Sequence, residues 1–229
     1  VGVGAILGSL GVGLVVKDMF ELGASLRGTE RALATLTGSA ANAKAEMAFV
    51  REESRLLGLN FNTTAGQFVS FVAATQGTEL REHARGLFSD IVRAMTALRR
   101  SGEQIQTVLA QTGQTLNTGR IQADEMRSIA DAGIPIWRKL SEAIGKSVQE
   151  TRKLAEDGKL PAEAMVLAWR RLATELESGV VEAAGSSEVG FSRLKDQVSS
   201  YKSRSLTSHA ETRSSCSTGR FAECGASTH

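Results

Sequence analysis

Apolar side chains recur at steps of three and four along most of this chain, a helical rather than an alternating period. Between Ala40 and Leu57, Ala43, Met47, Val50 and Leu57 form one stripe, and Gly58 suits the left-handed residue that closes a helix. Asn62 or Thr63 is placed to cap the next helix, in which Phe68, Phe71 and Val72 share a face before Gly77 ends it. The strongest period starts at Thr78. Leu80, Ala84, Leu87, Ile91, Met95 and Leu98 predict a central helix, with Arg81, Arg85, Arg93, Arg99 and Arg100 on its solvated faces.

Capping chemistry marks the later boundaries. Ser101 with Gln104, and Ser147 with Glu150, fit the reciprocal box in which a hydroxyl accepts one backbone N–H and the third residue reaches back to the cap. Gly133-Ile134-Pro135 ends one helix and begins another carrying Ile136, Trp137, Leu140 and Ile144, because proline has no N–H to lose in a first turn. Gly145 and Gly158 stop the two helices that follow. The expected fold is all-α, a bundle of short and medium helices joined by Gly/Pro turns.

A weak repeat lies within this series. Gly119-Arg120-Ile121-Gln122-Ala123-Asp124-Glu125-Met126 is echoed by Gly158-Lys159-Leu160-Pro161-Ala162-Glu163-Ala164-Met165. Each copy has glycine, a cation, a branched apolar anchor and then acids where the helix dipole favours negative charge. Two copies fall short of the three or so units of a solenoid, so they read as similar helix-start devices, with duplication as the second explanation.

Composition narrows the picture. With 229 residues, 41% hydrophobic and only 5% aromatic, the chain has few large side chains for a thick core, which favours thin bundles or extended helices. A net charge of +2, from 27 basic and 25 acidic residues, gives no global field for nucleic acid or an anionic membrane. Both cysteines, Cys216 and Cys224, lie near the carboxyl end, a distribution that fits a reducing cytoplasm.

The two ends differ from the middle, dividing the chain into residues 1–28, 29–198 and 199–229. Val1 in place of an initiating methionine implies an upstream portion. Val1 to Val16 is uncharged but shorter than the ~20 apolar residues that span a bilayer. Gly4 and Gly8 have the spacing that lets helices approach closely in lipid, so contact with a host membrane is one reading. A buried glycine-packed helix or a linker is the other. From Ser199 onward the chain is rich in serine and threonine and lacks helical period, so disorder is expected, either in a natural tail or after a frameshift or truncation.

Candidate chemistry is sparse. His83 stands alone, and His209, Cys216, Cys224 and His229 lack the close pairs of a compact zinc site. The early glycines have no Lys-Ser/Thr ending of a phosphate loop. No catalytic, cofactor-binding or metal-ligating residue is nominated. Residues 140–161 do contain a helix, a short turn and a second helix bearing Gln149, Thr151, Arg152 and Lys153, a pattern like the helix-turn-helix of excisionase-like proteins. Glu150, Glu156 and Asp157 flank these cations and oppose phosphate binding, so DNA binding is the alternative and not the first reading.

The ordered set of motifs from Gly119 to Arg171 resembles the signature segment of phage and prophage tail tape measure proteins. Its elements are Gly119-Arg120-Ile121 before Ala123 to Met126, Ala132 to Pro135, Ala143 to Ser147, Lys153-Leu154, and Gly158-Lys159-Leu160. Leu33 to Gly38, Phe49 to Leu59, Phe71 to Gly77 and Leu98 to Gln104 are similar to that family's amino-terminal domain, and the likeness runs from Arg31 to Leu194. The resemblance implies Gly119, Ile121, Glu125, Gly133, Pro135, Gly145, Ser147, Leu154, Gly158 and Leu160 as structural motif positions. It further implies a non-enzymatic, cofactor-free helical and coiled-coil protein of the tail, assembled in the host bacterial cytoplasm and carried in the virion. Its partners would be the tail tube protein, tail assembly chaperones, tail tip or baseplate proteins and other copies of itself, and its task to set tube length and nucleate tube polymerisation. Apolar helix faces left uncovered by a thin bundle would supply the contacts.

Overall fold

The computed structural model describes residues 25–185. A helix through residues 25–37 (α1) precedes α2 (Ala40–Leu57), α3 (Phe61–Ala74), a 3-10 turn (Glu79–His83), α4 (Ala84–Ala97) and α5 (Gly102–Thr118). Strand β1 (Arg120–Ile121) then leads to α6 (Ala123–Asp131), α7 (Ile136–Ile144) and α8 (Val148–Glu156). Strand β2 (Leu160–Pro161) leads to α9 (Glu163–Glu175) and α10 (Glu177–Ala184). The expectations for Val1 to Val16 and for 199–229 fall outside the described residues. α1 runs unbroken through Gly28.

Local chemistry explains most boundaries. Ser101 Oγ accepts the Gln104 N–H at 3.3 Å while Gln104 Oε1 accepts the Ser101 N–H at 3.0 Å, so the anticipated box opens α5. The Ser147–Glu150 box opens α8 in the same way, with distances of 3.2 and 3.0 Å. Gly58 closes α2 with φ of 67°. One cap differs from expectation: Asn60, not Asn62 or Thr63, starts α3, its Oδ1 accepting the Thr63 N–H at 3.0 Å. Asn62 and Thr63 therefore lie within the first turn. α3 also stops at Ala74, and Gly77 sits in the turn beyond it.

The central period needed a second correction. Its first turn, Glu79 to His83, is a 3-10 helix, and the α-helix begins at Ala84. Apolar steps from Leu80 to Ala84 and Leu87 fit both geometries, so periodicity cannot separate them within one turn. The centrality of α4 stands, because it packs on α9, α10, α5, α3 and α2.

Buried residues from Leu33 to Leu172 form one connected hydrophobic cluster. The few aromatics are concentrated. Phe68 meets Phe88 edge-on with ring centroids 4.9 Å apart, Phe71 lies 5.9 Å from Phe88, and Phe49 lies 5.7 Å from Phe68. Such pairs add about 0.5–1.5 kcal/mol each beyond burial and tie α2, α3 and α4 together. Trp137 on α7 and Trp169 on α9 serve the other side of the cluster. Among the described residues, Val148, Leu167 and Val181 are the large hydrophobics left exposed, so uncovered apolar stripes are not a feature of this surface.

The arginines of α4 and the turn after it lie at the surface, as expected, with Arg85 and Arg99 exposed, and several of them have partners there. Arg93 donates to both Glu53 carboxylate oxygens, at 3.1 and 2.7 Å, across forty residues of sequence. The Arg85 guanidinium lies 4.2 Å over the Phe49 ring, and Arg99 pairs with Glu182 at 3.3 Å.

Candidate functional site

The two copies of the sequence repeat meet. β1 pairs antiparallel with β2, Ile121 opposite Leu160 and Arg120 opposite Pro161. Both aliphatic side chains are fully buried, and the Ala162 N–H donates to the Gly119 carbonyl at 3.3 Å. Gly119 ends α5 at φ of 71° and Gly158 follows α8 at φ of 63°. Left-handed backbone turns the chain out of each helix straight into a strand, and a Cβ there costs about 1 kcal/mol. The repeat is thus a clasp between two helix starts, a pairing that sequence similarity alone did not disclose.

Glu125 holds the first half of the clasp. It is almost wholly buried, and its Oε2 accepts the Thr115 hydroxyl at 2.9 Å and the Gln122 N–H at 3.3 Å. One carboxylate thereby ties the end of α5 to the start of α6. Thr118 reinforces the corner by donating to the Arg120 carbonyl at 3.0 Å.

The remaining motif positions occupy separate junctions. Gly133 and Pro135 form the α6–α7 corner, with Pro135 capping α7 and the Gly133 carbonyl accepting from Arg100 Nη2 at 3.3 Å. Gly133 has φ of 77°, and a Cβ there would collide with the Arg100 guanidinium. Gly145 and Ser147 make the α7–α8 turn, and Leu154 is a half-buried residue packed against the core. Gly119, Ile121, Gly158 and Leu160 are therefore gathered at one place with Glu125, whereas Gly133, Pro135, Gly145, Ser147 and Leu154 are not.

Charge is concentrated where α7 meets α9. The buried Lys139 ammonium donates to Glu142 at 2.7 Å and pairs with Glu175, which also accepts from Arg138 at 2.9 Å. Burial works against the charged lysine, but hydrogen bonds to both carboxylates outweigh it and hold its pKa above the ordinary lysine value. Hydrogen bonds from Lys139 and Arg138 hold the Glu175 carboxyl below the usual range. The Glu175 contribution to stability is present above its unfolded pKa and is lost as pH falls through the lowered folded value. The Lys139 contribution is lost as pH rises through its raised value, so the junction is firmest between the carboxylate and lysine ranges. The i, i+3 pair of Lys139 and Glu142 was legible in the sequence; Glu175, brought in by tertiary packing, was not.

A cleft of about 550 Å³ runs between α3 and α5. Gly66, Ser70 and Ala74 line one side, Ala110 and Gly113 the other, and Phe71 and Leu109 contribute apolar surface. None of the residues lining it is charged.

The helix-turn-helix segment has committed several of its side chains internally. Thr151 is fully buried with its hydroxyl donating to the Ser147 carbonyl at 2.8 Å, a correction to its placement among the residues a reading helix would present. The Arg152 guanidinium lies 5.3 Å over the Trp137 ring. Among the described residues, no group of His, Cys, Asp and Glu is arranged to hold a metal ion, and no helix is long and apolar enough to cross a membrane. The candidate donors His209, Cys216, Cys224 and His229 lie outside them.

A family model described as "Tape measure protein" matches residues 17–205. The chain belongs to the tape measure protein family. The match extends across every described helix, including the clasp and both capping boxes. Among curated tape measure relatives, the "Probable tape measure protein" of Salmonella phage Felix O1 (isolate Felix O1-VT1) is 26% identical over 140 residues. Those residues are 59% of this chain and 19% of that protein, so the chain spans about a fifth of the length of its curated tape measure relative. No solved structure matches it.

Proposed function

We propose that this chain is the folded, amino-terminal type of domain of a tail tape measure protein, acting without catalysis in phage tail assembly. The observation that carries the reading is the family match over residues 17–205. In a ruler, length comes from extended helix at ~1.5 Å per residue. Helices that fold back on one core convert little of their contour into length, so the measuring belongs to other parts of the larger protein. The role that remains for this domain is to begin assembly: association with other copies, tail chaperones, tube protein and tip or baseplate proteins, nucleating the tube that the whole molecule then measures. Assembly would take place in the host bacterial cytoplasm, with the finished protein in the virion. The motif positions Gly119, Ile121, Glu125, Gly133, Pro135, Gly145, Ser147, Leu154, Gly158 and Leu160 act in this reading by holding the domain's corners, not by touching a ligand.

The test is a deletion of residues 25–185 from a tape measure gene that carries this domain, followed by electron microscopy of particles. Loss of assembled tails is expected. Normal numbers of tails shortened by roughly 240 Å, the helical length of the deleted residues at 1.5 Å each, would instead make the domain part of the ruler and overturn the proposal.

A further inference from the structure

α3 and α5 depart from the rest of the surface in one respect: they lack charge. α3 has no charged residue among its 14, and α5 has one among its 17, Glu103 in the first turn, against 23% for the whole chain. Every other α-helix among the described residues carries at least two. The cleft between them is lined instead by the amides of Asn62, Gln67, Gln106 and Gln114 and the hydroxyls of Thr63 and Ser70. Lysine and glutamate are the ordinary covering of an exposed helix, so solubility alone does not account for a face of this composition. Charge is depleted in this way at the centres of protein–protein interfaces. The side-chain amides of Gln67, Gln106 and Gln114 make no hydrogen bond to another described residue, and Asn62 Oδ1 is buried with no partner.

The same chemistry selects the occupant. A side-chain amide carries both a donor and an acceptor, so a surface of amides and hydroxyls matches another of its own kind. A face that meets a different protein can set its charges against countercharges. Where two copies meet about a two-fold axis, a residue near the axis faces itself, and any charge there would meet its like. Neutral groups that both donate and accept are the ones that pair across such an axis. α3 and α5 have that composition, and Glu103 does not line the cleft.

Shape and area agree. Gly66 and Ala110 are exposed on opposite sides of the cleft, and a Cβ on Gly66 would meet nothing within 4 Å, so a second backbone can come close. Two helices about 10 Å wide and about 21 Å long offer a projected patch of about 400 Å² on each copy, half the ~800 Å² of a standard interface. A contact of that size is weak and concentration-dependent. We propose that the α3–α5 face is where two copies of this chain associate, pairing about a two-fold axis through amide and hydroxyl side chains. The inference gives a surface to the association between copies included in the function proposed above, and rests on that part of it.

Sedimentation equilibrium of the full 229-residue chain under reducing conditions tests it. The wild type is expected to pass from monomer to dimer between about 10 μM and about 1 mM, the range of a weak interface. Gly66→Lys and Ala110→Glu put opposite charges on exposed positions of α3 and α5. Each is expected to raise the dissociation constant about tenfold or more with unchanged helical circular dichroism, whereas Leu167→Lys, exposed on α9, should leave it unmoved. A chain that stays monomeric at about 1 mM overturns the proposal. So does a dimer that neither charge weakens, which would place the contact elsewhere, or one that either charge tightens, which would make its counterpart a charged surface. Monomers combined with loss of tails on deletion of residues 25–185 would remove this interface and leave the role in assembly; dimers through this face with tails intact would do the reverse.

Discussion

Two acids of this domain differ in the partners that packing gives them. Glu125 is surrounded by donors that it satisfies, the Thr115 hydroxyl and the Gln122 N–H. Asp90, on α4, has the Arg170 guanidinium at 3.9 Å, too long for a hydrogen bond. Burial pushes its pKa up; Arg170 and Arg93 oppose that rise and Glu53 adds to it. For an acid whose folded pKa is raised, ionisation costs stability above the unfolded pKa, and the cost fades as pH falls through the folded value towards the unfolded one. Asp90→Asn is therefore expected to raise the melting temperature near neutral pH, with the gain shrinking by about pH 4. A lower melting temperature at neutral pH would show that the Arg170 and Arg93 attraction wins. At this scale the sequence was readable where partners are near neighbours, as in the Ser147–Glu150 box. It was silent where they are not, since nothing local to Glu53 or Arg93 announces a bidentate pair spanning forty residues.

At the level of elements, the paired turns carry the most information per residue. Ile121 and Leu160 face each other across two-residue strands that would not persist alone, so their burial under α5, α8 and α9 is what keeps β1 against β2. Each change to alanine is expected to cost about 2–5 kcal/mol in urea denaturation, the range for deleting buried aliphatic groups. Their effects should not add: opposite residues share one pocket, so the double variant should lose less than the sum by about 0.5–3 kcal/mol. Strict additivity would mean that the two turns are braced separately. Each turn was legible as a helix start because glycine, cation and aliphatic residue recur at fixed spacing. Their mutual pairing was not, because two residues of extended chain leave no period to detect.

The molecule as a whole is joined by α4, which touches helices from both ends of the described chain. α10 approaches it closely enough that a Cβ on Gly179 would stand 3.4 Å from the Ala97 Cβ. A single connected core predicts one cooperative transition. The protein provides its own reporter, since both tryptophans, Trp137 and Trp169, lie on α7 and α9 while the phenylalanine contacts join α2, α3 and α4. Tryptophan fluorescence and far-ultraviolet circular dichroism should give coincident urea midpoints. Separate midpoints would divide the domain into two independently folding halves. Low aromatic content favoured a thin bundle, but composition counts side chains without placing them; three aromatic contacts are concentrated where α2, α3 and α4 meet.

By itself the sequence determined the helical class, several helices with their caps, such as the starts of α5 and α8 and the end of α2, and the order of the motif series, since periodicity, caps and left-handed glycines are interactions among residues within a few positions of one another. Only the tertiary structure decided that the repeated turns clasp each other, that Arg93 reaches Glu53 and that small residues on α3 and α5 leave an uncharged hollow between them. Those outcomes depend on where whole helices pack, and packing is settled by the shared burial of many side chains at once, a quantity that no local stretch of residues encodes.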